Sequence, residues 1–161
     1  MADKFRGHHI VCTSLYEGKG YSGAFCENMT AVVERLRKDP DEELLLVAEP
    51  DMICANCPNR TEMNECVHNH NRVVNKDRRV IEFFGLEENR VYTYREMCRH
   101  ARAAMNMDFF MENCGKCDWR KQALQVRRSA RTARPLYRER IGDRKALPHE
   151  ALISMSDRIG D

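Results

Sequence analysis

Residues 22–40 read SGAFCENMTAVVERLRKDP, and this stretch predicts an amphipathic helix. Its apolar residues recur at the three- and four-residue spacing that places them on one face of a helix. Ser22 is a typical N-cap residue, and Pro40 ends the helix because it has no backbone N–H to donate. The apolar face is formed by Phe25, Met29, Val32, Val33 and Leu36.

Two further helices are predicted towards the C-terminal side. Residues 70–84 again carry a helical period, and Gly85 stands where a glycine commonly ends a helix. Thr93 and Glu96 have the spacing of a capping box, which predicts a helix start at that point. Asp108 is expected to cap one more short turn before the next cysteines.

Only two segments indicate strands. The run Ile10-Val11-Cys12 is short and rich in β-branched residues, and residues 44–47 form an apolar run that is too short for a helix. The predicted fold class is therefore an α-rich α+β fold, a single small domain with two short strands, several amphipathic helices and cysteine-bearing loops. We expect residues 1–124 to form the cysteine-rich domain and residues 125–161 to form a basic C-terminal extension.

The composition excludes a membrane-spanning protein. The chain has 161 residues, of which 42% are hydrophobic and 32% charged, with a formal net charge of +2. No run approaches the roughly 18 apolar residues that a spanning helix needs. The N-terminal residues are polar and lack the apolar core of a secretion signal, so a cytoplasmic location is expected, where thiols stay reduced.

Cysteine is the residue type that points to chemistry. Eight cysteines in a protein expected in a reducing compartment favour metal binding over disulfides. Cys26 and Cys98 flank the apolar stripes of predicted helices and are interpreted as small buried hydrophobic residues. The remaining six are expected in strands or loops and are the candidate metal ligands: Cys12, Cys54, Cys57, Cys66, Cys114 and Cys117.

The spacing of these cysteines favours an iron–sulfur cluster. Two C-x-x-C turns, at residues 54–57 and 114–117, can each direct two sulfur atoms at one metal ion or cluster edge. Six thiols spread over three regions exceed the four that one zinc ion needs. We therefore expect an iron–sulfur cluster of the [4Fe–4S] type, with zinc as the alternative cofactor.

Five motifs occur along the chain: RGHHIVC at 6–12, GKGYS at 18–22, F-x-ENM at 25–29, DMIC-x-x-CP at 51–58 and C-x-x-C-x-W at 114–119. In this combination the sequence resembles the uncharacterised bacterial cysteine-rich family catalogued as domain of unknown function 1284. The resemblance covers about residues 5–124 and implies a small protein suspected of holding an iron–sulfur cluster. The family pattern has a further cysteine at about the position of Leu124 here.

Two ligand arrangements remain open. In one, the turns at 54–57 and 114–117 share the cluster. In the other, a set of Cys12, Cys54, Cys57 and Cys66 holds it alone, and Cys114 and Cys117 form a free dithiol whose pKa the neighbouring Lys116 lowers. A complete set of four thiolates predicts electron transfer, whereas an exchangeable iron site predicts a reaction on a small molecule.

His8 is the candidate catalytic residue. On the predicted strand it shares a face with Cys12, because side chains alternate along a strand. It is equally compatible with a ligand, a proton donor or a hydrogen-bond partner of the cluster, and with a purely structural histidine. An enzymatic activity is therefore left open.

The C-terminal residues differ in charge from the rest of the chain. Residues 118–161 contain 11 Lys and Arg residues against 6 Asp and Glu residues, a net charge of +5. This extension is predicted to mediate homo-oligomerisation or docking, with nucleic acid as a weaker alternative. The expected partner of the cluster is a redox protein or a small-molecule substrate, and the rival function is a zinc-stabilised interaction module.

Overall fold

The computed structural model describes residues 1–16, 18, 20–68 and 72–117 of the chain. Three strands and five α-helices follow one another along it, with a 3₁₀ turn at Ile53–Asn56. The fold is α+β, and roughly half of the described residues are helical. The elements are β1 (Asp3–Arg6), α1 (His9–Leu15), α2 (Gly23–Lys38), β2 (Glu43–Val47), α3 (Val73–Phe83), β3 (Val91–Thr93), α4 (Tyr94–Ala104) and α5 (Met107–Cys114).

The three strands form one small sheet in the order β1-β2-β3. β1 lies parallel to β2, with Asp3 opposite Leu44, and β3 lies antiparallel to β2. The parallel pairing requires a crossover, which α1 and α2 supply. Phe5, Leu44 and Leu46 are fully buried, so the sheet lies against the hydrophobic core.

Local capping explains where the helices begin. The Ser22 hydroxyl accepts the backbone N–H of Phe25 at the start of α2. Thr93 and Glu96 form a complete capping box at α4. These two predictions are confirmed.

The starts of α3 and α5 differ from the predictions. Asn106, and not Asp108, caps α5, because its side chain accepts the N–H of Phe109. α3 begins at Val73 rather than at residue 70, which lies outside the described residues, and Gly85 follows its end with a φ of 66°.

The strand predicted at Ile10–Cys12 is wrong. These residues belong to α1, where the N–H of Cys12 bonds to the carbonyl of His8 at 3.1 Å. The hydroxyl groups of Thr13 and Ser14 bond to carbonyls one turn earlier in the same helix. A short apolar run buried in a core has no periodicity that separates a strand from a helix.

Two of the three strands in the sheet, β1 and β3, are not predicted from the sequence. The prediction at 44–47 is confirmed by β2, but β1 and β3 have four and three residues and carry no clear alternation. Among the described helices, none has the length and apolar character needed to cross a membrane. The predicted boundary at residue 124, the C-terminal extension, Trp119 and Leu124 lie outside the described residues.

Gly7 links β1 to α1 at a point of close approach. A Cβ atom there would lie 2.6 Å from the carbonyl oxygen of Asp77 and 2.8 Å from Cγ1 of Ile81. We expect Gly7→Ala to lower the free energy of unfolding by about 1–3 kcal/mol, since overpacking displaces neighbouring atoms. Urea denaturation measures this. Gly23→Ala is the matched control, because nothing lies within 4 Å of its Cβ position, and equal losses in both variants would contradict the steric explanation.

Candidate metal centre

A buried ion pair joins β1 to α3. Arg6 is 1% exposed and Asp77 is fully buried. The Nε and Nη2 atoms of Arg6 donate to Oδ2 of Asp77 at 3.0 and 2.7 Å. A buried guanidinium is tolerated only beside such a counter-charge, so Asp77 is the structural partner of Arg6.

Asp77 also fixes His8. Its Oδ1 atom accepts the backbone N–H of His8 at 2.9 Å and lies 2.6 Å from Nδ1 of the ring. Burial alone would raise the pKa of Asp77, but His8 and Arg6 lower it to about 2. Burial also lowers the pKa of His8 to about 3, although the Asp77 carboxylate acts to raise it.

The protonation states of this pair follow from these values. At neutral pH, Asp77 is ionised and accepts only, so Nδ1 of a neutral His8 is the donor. The Nε2 atom of His8 therefore carries a lone pair. This arrangement is typical of histidines that bind a metal or accept a proton. His8 lies one helical turn before Cys12, so the two share a face of α1 and not of a strand.

A second buried carboxylate holds the turn that carries Cys54. Oδ2 of Asp51 accepts the backbone N–H of Arg6 and lies 2.8 Å from Nδ1 of His9. Its Oδ1 accepts the backbone N–H groups of Ile53 and Cys54 at 2.9 and 3.2 Å. These bonds fix the 3₁₀ turn against the start of α1.

His9, Asp51 and Cys54 form a group that could hold a metal ion, because their ligand atoms lie within 4.8 Å of one another. Both oxygens of Asp51 are already occupied by hydrogen bonds. Cys54 is also engaged, since Nη1 of Arg6 donates to its sulfur at 3.5 Å. Burial raises the pKa of the Cys54 thiol to about 12. The group is therefore satisfied as a polar network without an ion.

Three other candidate thiols lie within electrostatic range of Lys76. Cys12 comes from α1, Cys114 ends α5, and Cys117 follows in a turn where its N–H bonds to the Cys114 carbonyl at 3.0 Å. Lys76 interacts electrostatically with all three thiols. Burial raises the pKa of both Cys12 and Cys114, while Lys76 acts in the opposite direction.

Cys57 and Cys66 are brought together by a hairpin-like loop. The N–H of Val67 bonds to the carbonyl of Asn59 at 2.9 Å, and Arg60 forms a β-bridge with Cys66. We call residues 57–67 the cysteine loop. Burial raises the pKa of the Cys57 thiol, and the neighbouring Cys66 adds to the rise.

Tyr21 connects the two groups of thiols. Its phenol pKa is raised by burial and then by the thiols of Cys12, Cys117, Cys57 and Cys66. Its ring packs edge-on against Phe25 of α2, with ring centroids 5.2 Å apart. Four thiols from three segments of the chain therefore lie within electrostatic range of Tyr21.

The predicted ligands thus fall into three places. Cys54 lies against Arg6 and Asp51, Cys57 and Cys66 lie in the cysteine loop, and the other three lie around Lys76. Cys12 and Cys114 are helical rather than in a strand or loop, which corrects that expectation. Cys26 and Cys98 lie on α2 and α4 and pack against the core. All eight cysteines are free of disulfides.

Sequence reasoning missed the charged residues of the site. Arg6, Asp51, Lys76 and Asp77 were not among the predicted site residues, yet they bond to His8 and Cys54 or act electrostatically on Cys12, Cys114 and Cys117. One signal was available. Asp77 interrupts the apolar face predicted for residues 70–84, and a carboxylate at such a position needs a buried partner.

A family model matches most of the described chain. DUF1284, described as a protein of unknown function, matches residues 20–123. The chain belongs to the DUF1284 family. The segment that matches DUF1284 contains Cys54, Cys57, Cys66, Cys114 and Cys117, whereas His8 and Cys12 precede it. No curated protein and no solved structure matches the chain significantly.

Proposed function

We propose that this protein binds an iron–sulfur cluster, of the [4Fe–4S] type, and uses it to transfer electrons. The ligands would come from the thiols around Tyr21 and Lys76. The observation that supports this most strongly is the charge of Lys76. Its ammonium group is half-buried, and among the described residues no carboxylate forms an ion pair with it.

The donor set fits a metal centre. Burial lowers the pKa of Lys76, but the thiols of Cys12, Cys114 and Cys117, in their ionised form, and the carboxylate of Asp77 raise it overall, so the ammonium stays charged at neutral pH. Asp77 is already paired with Arg6. Buried thiols without a metal are neutral at pH 7 and provide no counter-charge. Metal coordination deprotonates a thiol outright and supplies the missing negative charge.

The spacing of the thiols favours a cluster over one zinc ion. Tetrahedral zinc with bonds of about 2.3 Å brings its sulfur ligands to about 3.8 Å from one another. Within the described ranges, no three cysteine sulfurs lie within 4.8 Å of one another. A cluster with an iron ion at each attachment point joins sulfurs that lie farther apart.

Electron transfer requires a partner protein that donates or accepts single electrons, and we propose such a partner here. A cytoplasmic location is consistent with eight free cysteines. His8 supports a second function, a cluster-dependent reaction on a small molecule. The observation that favours it is the imidazole of His8, which burial keeps neutral and Asp77 orients through Nδ1, so that Nε2 is available as a base or ligand.

Anaerobic purification followed by metal analysis tests the proposed function. We expect a brown protein with about four iron ions and about four sulfides per chain. Its visible absorption should bleach on one-electron reduction and return on reoxidation without loss of iron. A colourless protein that contains zinc and no sulfide would contradict the proposal and support the zinc-stabilised module.

A further inference from the structure

We propose that Lys76 supplies the positive charge that the metal–thiolate centre requires and thereby sets the reduction potential of the centre. This inference rests on the proposed function. It assigns a positioning and tuning role to a residue that lies outside every cysteine motif.

The two sides of α3 differ. Val73, Asp77 and Val80 are buried and mark the side that faces the core. Lys76 stands three residues after Val73 and four before Val80, so it belongs to that side. Its side chain is half-buried and therefore only partly exposed to bulk water.

The basic residues on the outer side of α3 have ordinary partners. Arg78 pairs with Glu88 at 3.1 Å, and Arg79 pairs with Glu112 at 2.5 Å. Their side chains are 58% and 50% exposed. In the part of the chain that the structure describes, Lys76 has no such carboxylate pair, and the ionisable groups that act on it are the thiols of Cys12, Cys114 and Cys117 and the carboxylate of Asp77.

The elements that carry the three thiols lie against α3, because Asp77 accepts the backbone N–H of His8 at 2.9 Å at the start of α1 and Arg79 pairs with Glu112 of α5. Cys12 lies on α1, and Cys114 and Cys117 lie at the end of α5 and in the turn after it. Lys76 on α3 therefore lies near candidate ligands that come from α1 and from the end of α5. The other charge on this face is Asp77, which is compensated by Arg6.

A fixed positive charge at this position favours the reduced form of a cluster. One electron enters the cluster from a one-electron donor protein, no covalent bond changes, and the charge of the centre becomes more negative by one. A neighbouring cation stabilises that added charge, and the effect is large where water is excluded. Removing the cation therefore lowers the reduction potential.

Redox titration of the cluster-loaded protein tests this. We expect Lys76→Met to decrease the equilibrium constant for reduction at least tenfold, which is about 59 mV towards lower potential for one electron. Lys76→Arg should stay near the wild-type value because it keeps the charge. Arg79→Met is the matched control on the same helix, and its potential should not change.

Each outcome decides the question. A Lys76→Met protein with full iron and sulfide content and an unchanged potential overturns the inference, while the proposed function stands. If Lys76→Met and Lys76→Gln contain no cluster while Lys76→Arg contains it, the requirement for charge is supported. If Lys76→Arg also lacks the cluster, the shape of lysine matters and the inference is wrong. A wild-type protein without iron and sulfide refutes the proposed function itself.

Discussion

Asp77→Asn should lower the free energy of unfolding by about 3–5 kcal/mol, because it leaves the buried guanidinium of Arg6 without its counter-charge. The same substitution weakens the hydrogen bonds to the ring and backbone of His8. A loss of this size is a large part of the total stability of a small domain. Urea denaturation of the anaerobically purified protein measures it.

Glu87→Gln provides the control for this experiment. Glu87 pairs with Arg90 at 2.6 Å, but both side chains are more than half exposed. Exposed pairs contribute little because water and salt screen them, so the variant should unfold at nearly the same urea concentration as the wild type. Similar losses in the two variants would show that burial of the Arg6–Asp77 pair does not matter.

Cys12→Ser and Cys117→Ser should each remove most of the bound iron. Both thiols face Lys76 and Tyr21, and a lost thiolate ligand opens the centre to chelators and oxygen. The melting temperature should fall as well, since a metal bound only by the native state adds its binding free energy to folding. Iron and sulfide analysis with thermal denaturation provides both measurements.

Cys26→Ser and Cys98→Ser are the matched controls. Both cysteines are partly buried against the core on α2 and α4. Their variants should retain full iron content, with only small losses of stability from the changed packing. If Cys26→Ser lost the iron and Cys117→Ser kept it, the assignment of ligands would have to be reversed.

The helices that have a local signal could be predicted from the sequence. The period of α2, its cap at Ser22 and the capping box at Thr93 are properties of neighbouring residues, so they remain visible without the fold. The apolar run of β2 was visible for the same reason. The resemblance to DUF1284 was confirmed by the family model.

The remaining elements depend on tertiary contacts. Residues 3–6 form a strand because they pair with the edge of β2. Residues 10–12 are helical because their apolar side chains are buried within the core. Neither cause can be read from a short window of sequence. Lys76 was missed for a similar reason, since its role depends on thiols that α1 and α5 bring to it.

The parallel pairing of β1 with β2 has a consequence for the order of events during synthesis. Asp3 can pair with Leu44 only after α1 and α2 have been synthesised. The charge of Arg6 is compensated only after Asp77 has been synthesised. Contacts between such distant residues form slowly, because a long loop of chain must close first. A centre that needs both Cys12 and Cys117 therefore assembles only after the ribosome has released residue 117, and the early thiols stay exposed to oxidants until then.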